Sequence, residues 1–292
     1  MHVSNFSESL KFTIQYMKPY NKVLIYDDNC PLCTWYTSLF VRFGLLSSEG
    51  RIPFNRASVP LLSMIEVDTG KNEIPLIDVS NNKVYYGIDA MLDILGQKMP
   101  AIKVIGNLSP IKWFLQKLYK LISFNRKVIV AKKCGNGQFD CSPEFNVSYR
   151  IGFLLIFLVF NSVMLLPIHH HVLSALSFHH LSFAQLEKAH LLFVFTNCML
   201  AIFLPLRTGL EYLGQVNMLA LCTVLLCLPL ILLSNLFVLG DTLVSTYLFL
   251  LLLFIIREYF RRMRYAGVLE KHQLVARVNF ICLAAFLGYL FI

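Results

Sequence analysis

The second half of the chain is a series of long apolar runs, and a bilayer is the environment that accommodates several of them in succession. A spanning helix needs about 20 predominantly apolar residues, with a range of about 17–25. In lipid every backbone N–H and C=O must be satisfied within the structure, so such runs are read as helices. Residues 152–168, 191–206, 216–239, 243–257 and 278–292 are the candidate stretches, about five in all. The fourth is short unless Arg257 snorkels, and the last is the weakest. Residues before Arg150 read instead as an ordinary soluble domain. The balance of the whole chain follows from this division: 57% hydrophobic and 15% charged, against about 45–50% and about 25% in soluble proteins. The expected organisation is a soluble domain over 1–133, a cysteine-containing juxtamembrane linker over 134–150 and a helical membrane domain over 151–292.

The formal net charge of +9 has its place in the same picture. Arg126, Lys127, Lys132, Lys133 and Arg150 precede the first run, and Arg257, Arg261, Arg262 and Arg264 follow a later one. Basic loops face the cytoplasm. With five crossings and a cytoplasmic amino-terminal domain, every basic cluster falls on one side. No nucleic-acid motif with interleaved aromatics is present, so the expected partner for the charge is a lipid bilayer and not nucleic acid. Met1 to Tyr20 lack the apolar core and cleavage site of a secretory signal. The expectation is a multi-pass protein of a bacterial inner membrane with its amino-terminal domain in the cytoplasm.

Within that domain, Lys22 to Tyr26 reads as a short buried strand ended by Asp27 and Asp28. Cys30-Pro31-Leu32-Cys33 follows, then a predicted helix over Thr34 to Leu46 with Trp35, Leu39, Phe43 and Leu46 on one face. A second strand includes Ile52 and Phe54, and Ser58 to Val67 is a short helix. Ile74 to Val79 and Val84 to Tyr86 bracket an Asn81-Asn82 turn and form a hairpin. Asp89 to Leu95 opens another helix. Ser109-Pro110 is a helix start; it is followed by an apolar stripe of Ile111, Phe114, Leu115, Leu118, Leu121 and Ile122, with Lys112, Gln116, Lys117 and Lys120 off it. Such a helix packs on a domain core or lies on a membrane surface.

Two thiols three residues apart in the first turn of a helix face the same way. The helix start supplies free N–H groups and partial positive charge, which lower a thiol pKa from about 8.5 toward 3.5–7.5. Cys30 is therefore the candidate nucleophile and Cys33 the resolving thiol in disulfide exchange. The competing reading is a zinc site made by Cys30, Cys33, Cys134 and Cys141; the wide spacing of the second pair, and a first pair set between strand and helix, favour redox chemistry. Pro75, just before a strand, is a position where a cis bond would serve a required turn, or an ordinary strand-edge proline.

Tyr26-Asp27-Asp28-Asn29-Cys30-Pro31-Leu32-Cys33 resembles the signature of the DCC family of thiol-disulfide oxidoreductases. Tyr86-Gly87-Ile88-Asp89-Ala90 is similar to the family's Gly-x-Asp-Ala element, and Leu118-Tyr119 through Asn125-Arg126 to its late Tyr…Asn-Arg helix. The resemblance covers roughly Lys22 to Lys133. It implies an α/β thioredoxin-like fold, disulfide exchange with a protein thiol or disulfide, and a site that includes Asp27, which would cap the following helix or take a proton from Cys33. The family usually has Gly where this chain has Asp28, and an acid there is expected to oppose the thiolate.

Other clusters carry weaker expectations. Cys134 and Cys141 form a possible second redox pair, or two separate loop thiols. Cys222 and Cys227, about 500° apart on one helix, are poor partners for each other. His169, His170, His171, His179, His180 and His190 are candidate metal ligands, or interfacial side chains. Asn161, Asn197 and Asn217 are candidate polar contacts between helices. No cofactor is implied and the oligomeric state is open. The resulting expectation is a membrane-tethered thiol-disulfide oxidoreductase; the alternative is a transporter or assembly subunit with a regulatory or zinc-stapled thioredoxin-like domain.

Overall fold

The computed structural model describes residues 22–132, 143–174, 181–237 and 240–290. The chain divides into two compact units, Met1–Tyr149 and Arg150–Ile292.

The first unit is built on β1 (Lys22–Tyr26), which is buried from Val23 onward and reads as a continuous apolar run because both its faces are covered. It pairs in parallel with β2 (Arg51–Pro53) and antiparallel with β3 (Pro75–Asp78), which pairs antiparallel with β4 (Lys83–Tyr86). The order is β2-β1-β3-β4. Asn82, at φ +50°, turns the β3–β4 hairpin. Alternation along the strands feeds two cores. Leu24, Tyr26 and Leu76 join Phe40, Ala90 and Ile94 on one side; Val23, Ile25 and Ile77 join Phe54, Leu61 and Ile65 on the other. The helices of this unit are α1 (Pro31–Arg42), α2 (Val59–Ser63), α3 (Val67–Asn72), α4 (Gly87–Leu95), α5 (Pro100–Gly106) and α6 (Ser109–Val130). This mixed sheet with its helices is the expected thioredoxin-like domain.

Several local expectations need correction. The face of α1 that packs inward is Cys33, Thr37 and Phe40, while Trp35 and Phe43 stand exposed. Trp35 and Phe43 of the expected stripe therefore point outward, because the inward face is set by the sulfur at Cys33 and by Thr37, whose hydroxyl accepts from Arg51 Nε at 2.8 Å; the helix ends at Arg42, and Leu46, beyond it, is buried in the core. The short helix expected over Ser58 to Val67 spans only Val59–Ser63, and after a break at Met64 to Glu66 a further short helix follows over Val67–Asn72. Leu108, not Ser109, is the N-cap of α6, with no side-chain capping bond.

The second unit is all helical: α7 (Val147–Ser174), α8 (Phe183–Ile202), α9 (Leu206–Leu236), α10 (Asp241–Tyr265), α11 (Val268–Lys271) and α12 (Gln273–Leu290). Among the described residues four stretches are long and apolar enough to cross a membrane: Val147–Val172, Leu206–Ser234, Asp241–Tyr265 and Gln273–Leu290. The further expected stretch, 191–206, falls largely in α8. That helix starts at a Ser182–Gln185 capping box, and Gln185, Glu187, Lys188 and His190 occupy its first turns, so its apolar part begins only at Leu191. From there to Ile202 is about 18 Å at 1.5 Å per residue, short of a bilayer core of about 30 Å.

Buried polar groups knit this unit together. Asn161 Nδ2 donates to Asn217 O at 2.8 Å, and Asn217 Nδ2 to Leu154 O at 3.3 Å. Asn197 Oδ1 accepts from Tyr212 Oη at 2.6 Å and from Asn279 Nδ2 at 2.7 Å. Arg262 pairs with Glu258 at 2.8 Å and donates to Gln215 Oε1 at 2.9 Å. Gln215 Nε2 in turn reaches Glu211 Oε1 at 2.8 Å, and Glu211 pairs with Arg150 at 2.8 Å.

Candidate dithiol site

The chain leaves β1 at Tyr26 and turns through Asp27, whose Oδ1 accepts the Asn29 N–H at 2.9 Å. This Asx turn delivers Cys30 to the start of α1 with extended backbone, φ −97° and ψ 106°. Cys30 is the N-cap, and its sulfur accepts the Cys33 N–H at 3.4 Å. A thiolate thus fills the place that a Ser or Asp oxygen usually takes at a helix start, with Pro31 in the first turn, where a missing N–H costs nothing. Both cysteines are free thiols and both are buried, Cys30 to 2% exposure.

The two sulfurs are pushed apart in acidity. The Cys33 thiol hydrogen-bonds to Cys30; together with the Cys33 N–H and the Arg126 charge, this outweighs burial and the opposing Asp27 charge and holds Cys30 down to about 6. The same hydrogen bond, now donated, and burial raise Cys33 well above an ordinary thiol. One thiolate backed by one thiol is the resting state that these partners favour. The expected opposition from Asp28 is not among the charges acting on Cys30. Asp28 is half exposed and its Oδ2 accepts from Asn55 Nδ2 at 2.8 Å; the acid that acts on the dithiol is Asp27.

Asp27 is buried, and its Oδ2 lies 3.6 Å from both Arg126 Nη2 and Lys127 Nζ. Arg126, itself buried, donates from Nη2 to Lys71 O at 2.9 Å. These cations come from α6, far along the chain, as does Tyr119, whose hydroxyl accepts the Ile74 N–H at 3.0 Å. Tyr119 and Arg126 are seven residues apart and so share one helix face. Gly87 makes room for that face: at φ +55°, a Cβ there would come within 2.6 Å of Glu73 Oε2 and 3.0 Å of Tyr119 Cε1. Tyr36, three residues and so about one helix turn past Cys33, is half-buried beside that sulfur, and desolvation followed by the Cys33 charge keeps its phenol protonated. Arg126, Lys127, Tyr119 and Tyr36 are the site residues that motif reading did not assign. The Tyr…Asn-Arg spacing held the clue to two of them.

Pro75 opens β3, buried, its backbone paired with Tyr86. The Ile74–Pro75 peptide is trans, since no cis bond occurs among the described residues, and the expected cis turn is corrected accordingly. The first position of a strand is where proline fits without losing a ladder bond. Cys134, Cys141, His179 and His180 lie outside the described residues. His169 Nδ1 and His190 Nε2 are 3.0 Å apart, His170 packs edge-on to Phe183, and His171 lies 3.2 Å from Ser234 Oγ. Among the described residues no group of three or more His, Cys, Asp or Glu side chains converges as a metal site.

No curated protein and no solved structure matches the chain. Residues 24–132 match the family model of the DCC1-like thiol-disulfide oxidoreductase, a stretch that contains both cysteines, Asp27, Pro75, Tyr119 and Arg126, and the amino-terminal unit carries a domain of that family.

Proposed function

We propose that the chain is a membrane-tethered thiol-disulfide oxidoreductase, its amino-terminal unit facing the cytoplasm, that exchanges disulfides through Cys30 and Cys33. The observation that carries this reading is the Cys30 sulfur capping α1 under the Cys33 N–H, with the Arg126 guanidinium acting on it. The Cys30 thiolate attacks one sulfur of a substrate disulfide; an S–S bond forms to Cys30 and the substrate's own S–S bond breaks, releasing a substrate thiolate. Cys33 then loses its proton and attacks Cys30, so that the Cys30–Cys33 disulfide forms and the second substrate thiolate leaves. The substrate gains two electrons and the dithiol loses them; run backward, the same steps oxidise a substrate dithiol. The buried Asp27 carboxylate, which influences both sulfurs, is the candidate acceptor for the Cys33 proton. The apolar helices of the second unit are the tether.

Trapping tests this. A Cys33→Ser chain should retain a mixed disulfide with a substrate protein at Cys30, identified by mass spectrometry after non-reducing separation, and Cys30→Ser should retain none. Equal recovery of adducts from both variants would overturn the assignment.

A further inference from the structure

Helix α6 is turned inside out. Its polar side faces the domain: Lys112 pairs with Asp89 at 2.6 Å, Lys120 with Glu73 at 2.9 Å, Ser123 Oγ donates to Asn72 O, and Tyr119 and Arg126 enter the site. Its apolar side faces away. Trp113 is 62% and Phe114 58% exposed, and Leu118 and Ile122 are exposed with them. At 100° per residue these four and Lys117 span about half the circumference. The neighbouring α5 adds Ile102, Val104 and Ile105, and Leu108 joins them from the connection. Soluble surfaces rarely leave so many large apolar side chains together without a partner.

The composition around this face says which partner it fits. From Ile94 through Phe139 there is no Asp or Glu, while Lys117 stands exposed within the apolar face and Lys98 and Lys103 stand exposed in α5 and just before it. A face of Trp, Phe, Leu and Ile that carries exposed lysines and no acid matches an interfacial helix on anionic lipid, where the aromatics sit at headgroup level and the lysine stems snorkel outward. The chain also keeps a bilayer within reach. α6 ends at Val130 and the first apolar stretch begins at Val147, a separation of at most roughly 60 Å of extended chain.

We propose that the α5–α6 face lies in the headgroup layer of an anionic bilayer, so that one helix seats the domain on lipid with its outer side and holds Arg126 and Tyr119 at the dithiol with its inner side. This surface is independent of the redox assignment. The chain has two tryptophans, so a full-length Trp35→Phe chain reports from Trp113 alone. In nanodiscs of anionic phospholipid, bromine placed high on the acyl chains should remove roughly half of the Trp113 emission, bromine near the chain ends should remove much less, and aqueous iodide should have little effect. Strong iodide quenching without bromolipid quenching would overturn the proposal by placing the face in water. Quenching by neither would overturn it by placing protein over the face, whether a second copy or another part of this chain. A Phe114→Asp, Leu118→Asp double variant should lose the bromolipid effect and gain the iodide effect, while the alkylation pH profile of Cys30 stays in place and shows that the domain is folded.

Discussion

A sulfur that caps a helix is an anion for the same reasons that a capping carboxylate is, and at Cys30 those reasons can be removed one at a time. Alkylation of the reduced full chain by iodoacetamide should rise with pH through an inflection near 6, and be lost in Cys30→Ser. Arg126→Gln deletes a charge that favours the thiolate, so the inflection should move upward and the Cys30–Cys33 couple should become more reducing, because the reduced form loses stabilisation relative to the disulfide. Stability carries the same signature. Cys30 ionises at about 6 in the folded chain against 9.0 in an ordinary thiol, so between those values the unfolded chain binds more protons and stability increases with pH. The gain is complete near pH 9 and is lost as pH falls through 6. At about 1.36 kcal/mol per pKa unit, the full window is on the order of 4 kcal/mol. Denaturant midpoints of the reduced protein at pH 6 and pH 8.5 should therefore diverge in the wild type and converge in Cys30→Ser; a pH-independent wild type would show that the thiolate is not held by these partners. Since Cys30 is almost fully buried, the alkylation rate should also be slow in absolute terms and accelerate in mild denaturant.

The elements around the dithiol depend on a few fitted contacts, of which Gly87 is the most exposed to test. Gly87→Ala places a Cβ against Glu73 and Tyr119 at a backbone angle that only glycine adopts freely. It should cost about 1–3 kcal/mol, read as a lower unfolding midpoint, and should move the Cys30 inflection if α6 shifts and carries Arg126 with it. Tyr119→Phe leaves the Ile74 N–H without its acceptor and should cost about 1–3 kcal/mol, with no comparable clash. These contacts also explain what was legible beforehand. β1, the Asp27 turn and the helix start at Cys30 are local, and strand ends, Asx turns and caps announce themselves in adjacent residues. The faces of α1 and α6 are not local. A stripe such as Phe114, Leu118 and Ile122 is ordinarily assigned to the core, yet the hydrogen bonds at Tyr119, Ser123 and Arg126 turn the opposite side inward. Likewise the match of Arg126 to Asp27 exists only after α6 has packed against α1, α3 and α4, so no spacing rule reaches it, and only the family-like Tyr…Asn-Arg pattern marked the position.

At the scale of the whole molecule the open question is parity, and the arginines at the end of α10 decide what to expect. If only the four most apolar stretches cross, the loop around Gly240 lies on the same side as the amino-terminal unit, and Arg257, Arg261, Arg262 and Arg264 lie opposite, against the bias of basic loops toward the cytoplasm. If α8 crosses as well, the arginines return to the side of the amino-terminal unit, which the proposed orientation puts in the cytoplasm. α8 has the surface for it: Leu191, Leu192, Phe195, Met199 and Ile202 are exposed along its length, while Asn197 turns inward to Tyr212 and Asn279. Its short apolar part is compatible with local thinning of the bilayer, at a fraction of a kcal/mol per Å of mismatch, whereas stranding four arginines on the wrong side has no such remedy. The prediction is therefore five crossings. In a background with the native cysteines replaced, Gly240→Cys should react with a membrane-impermeant maleimide on intact cells, and Glu270→Cys should react only after permeabilisation. The Gly240 site has open space around it and Glu270 is exposed, so neither substitution disturbs packing. The reverse labelling pattern would mean that α8 stays out of the membrane and that the arginine cluster faces outward.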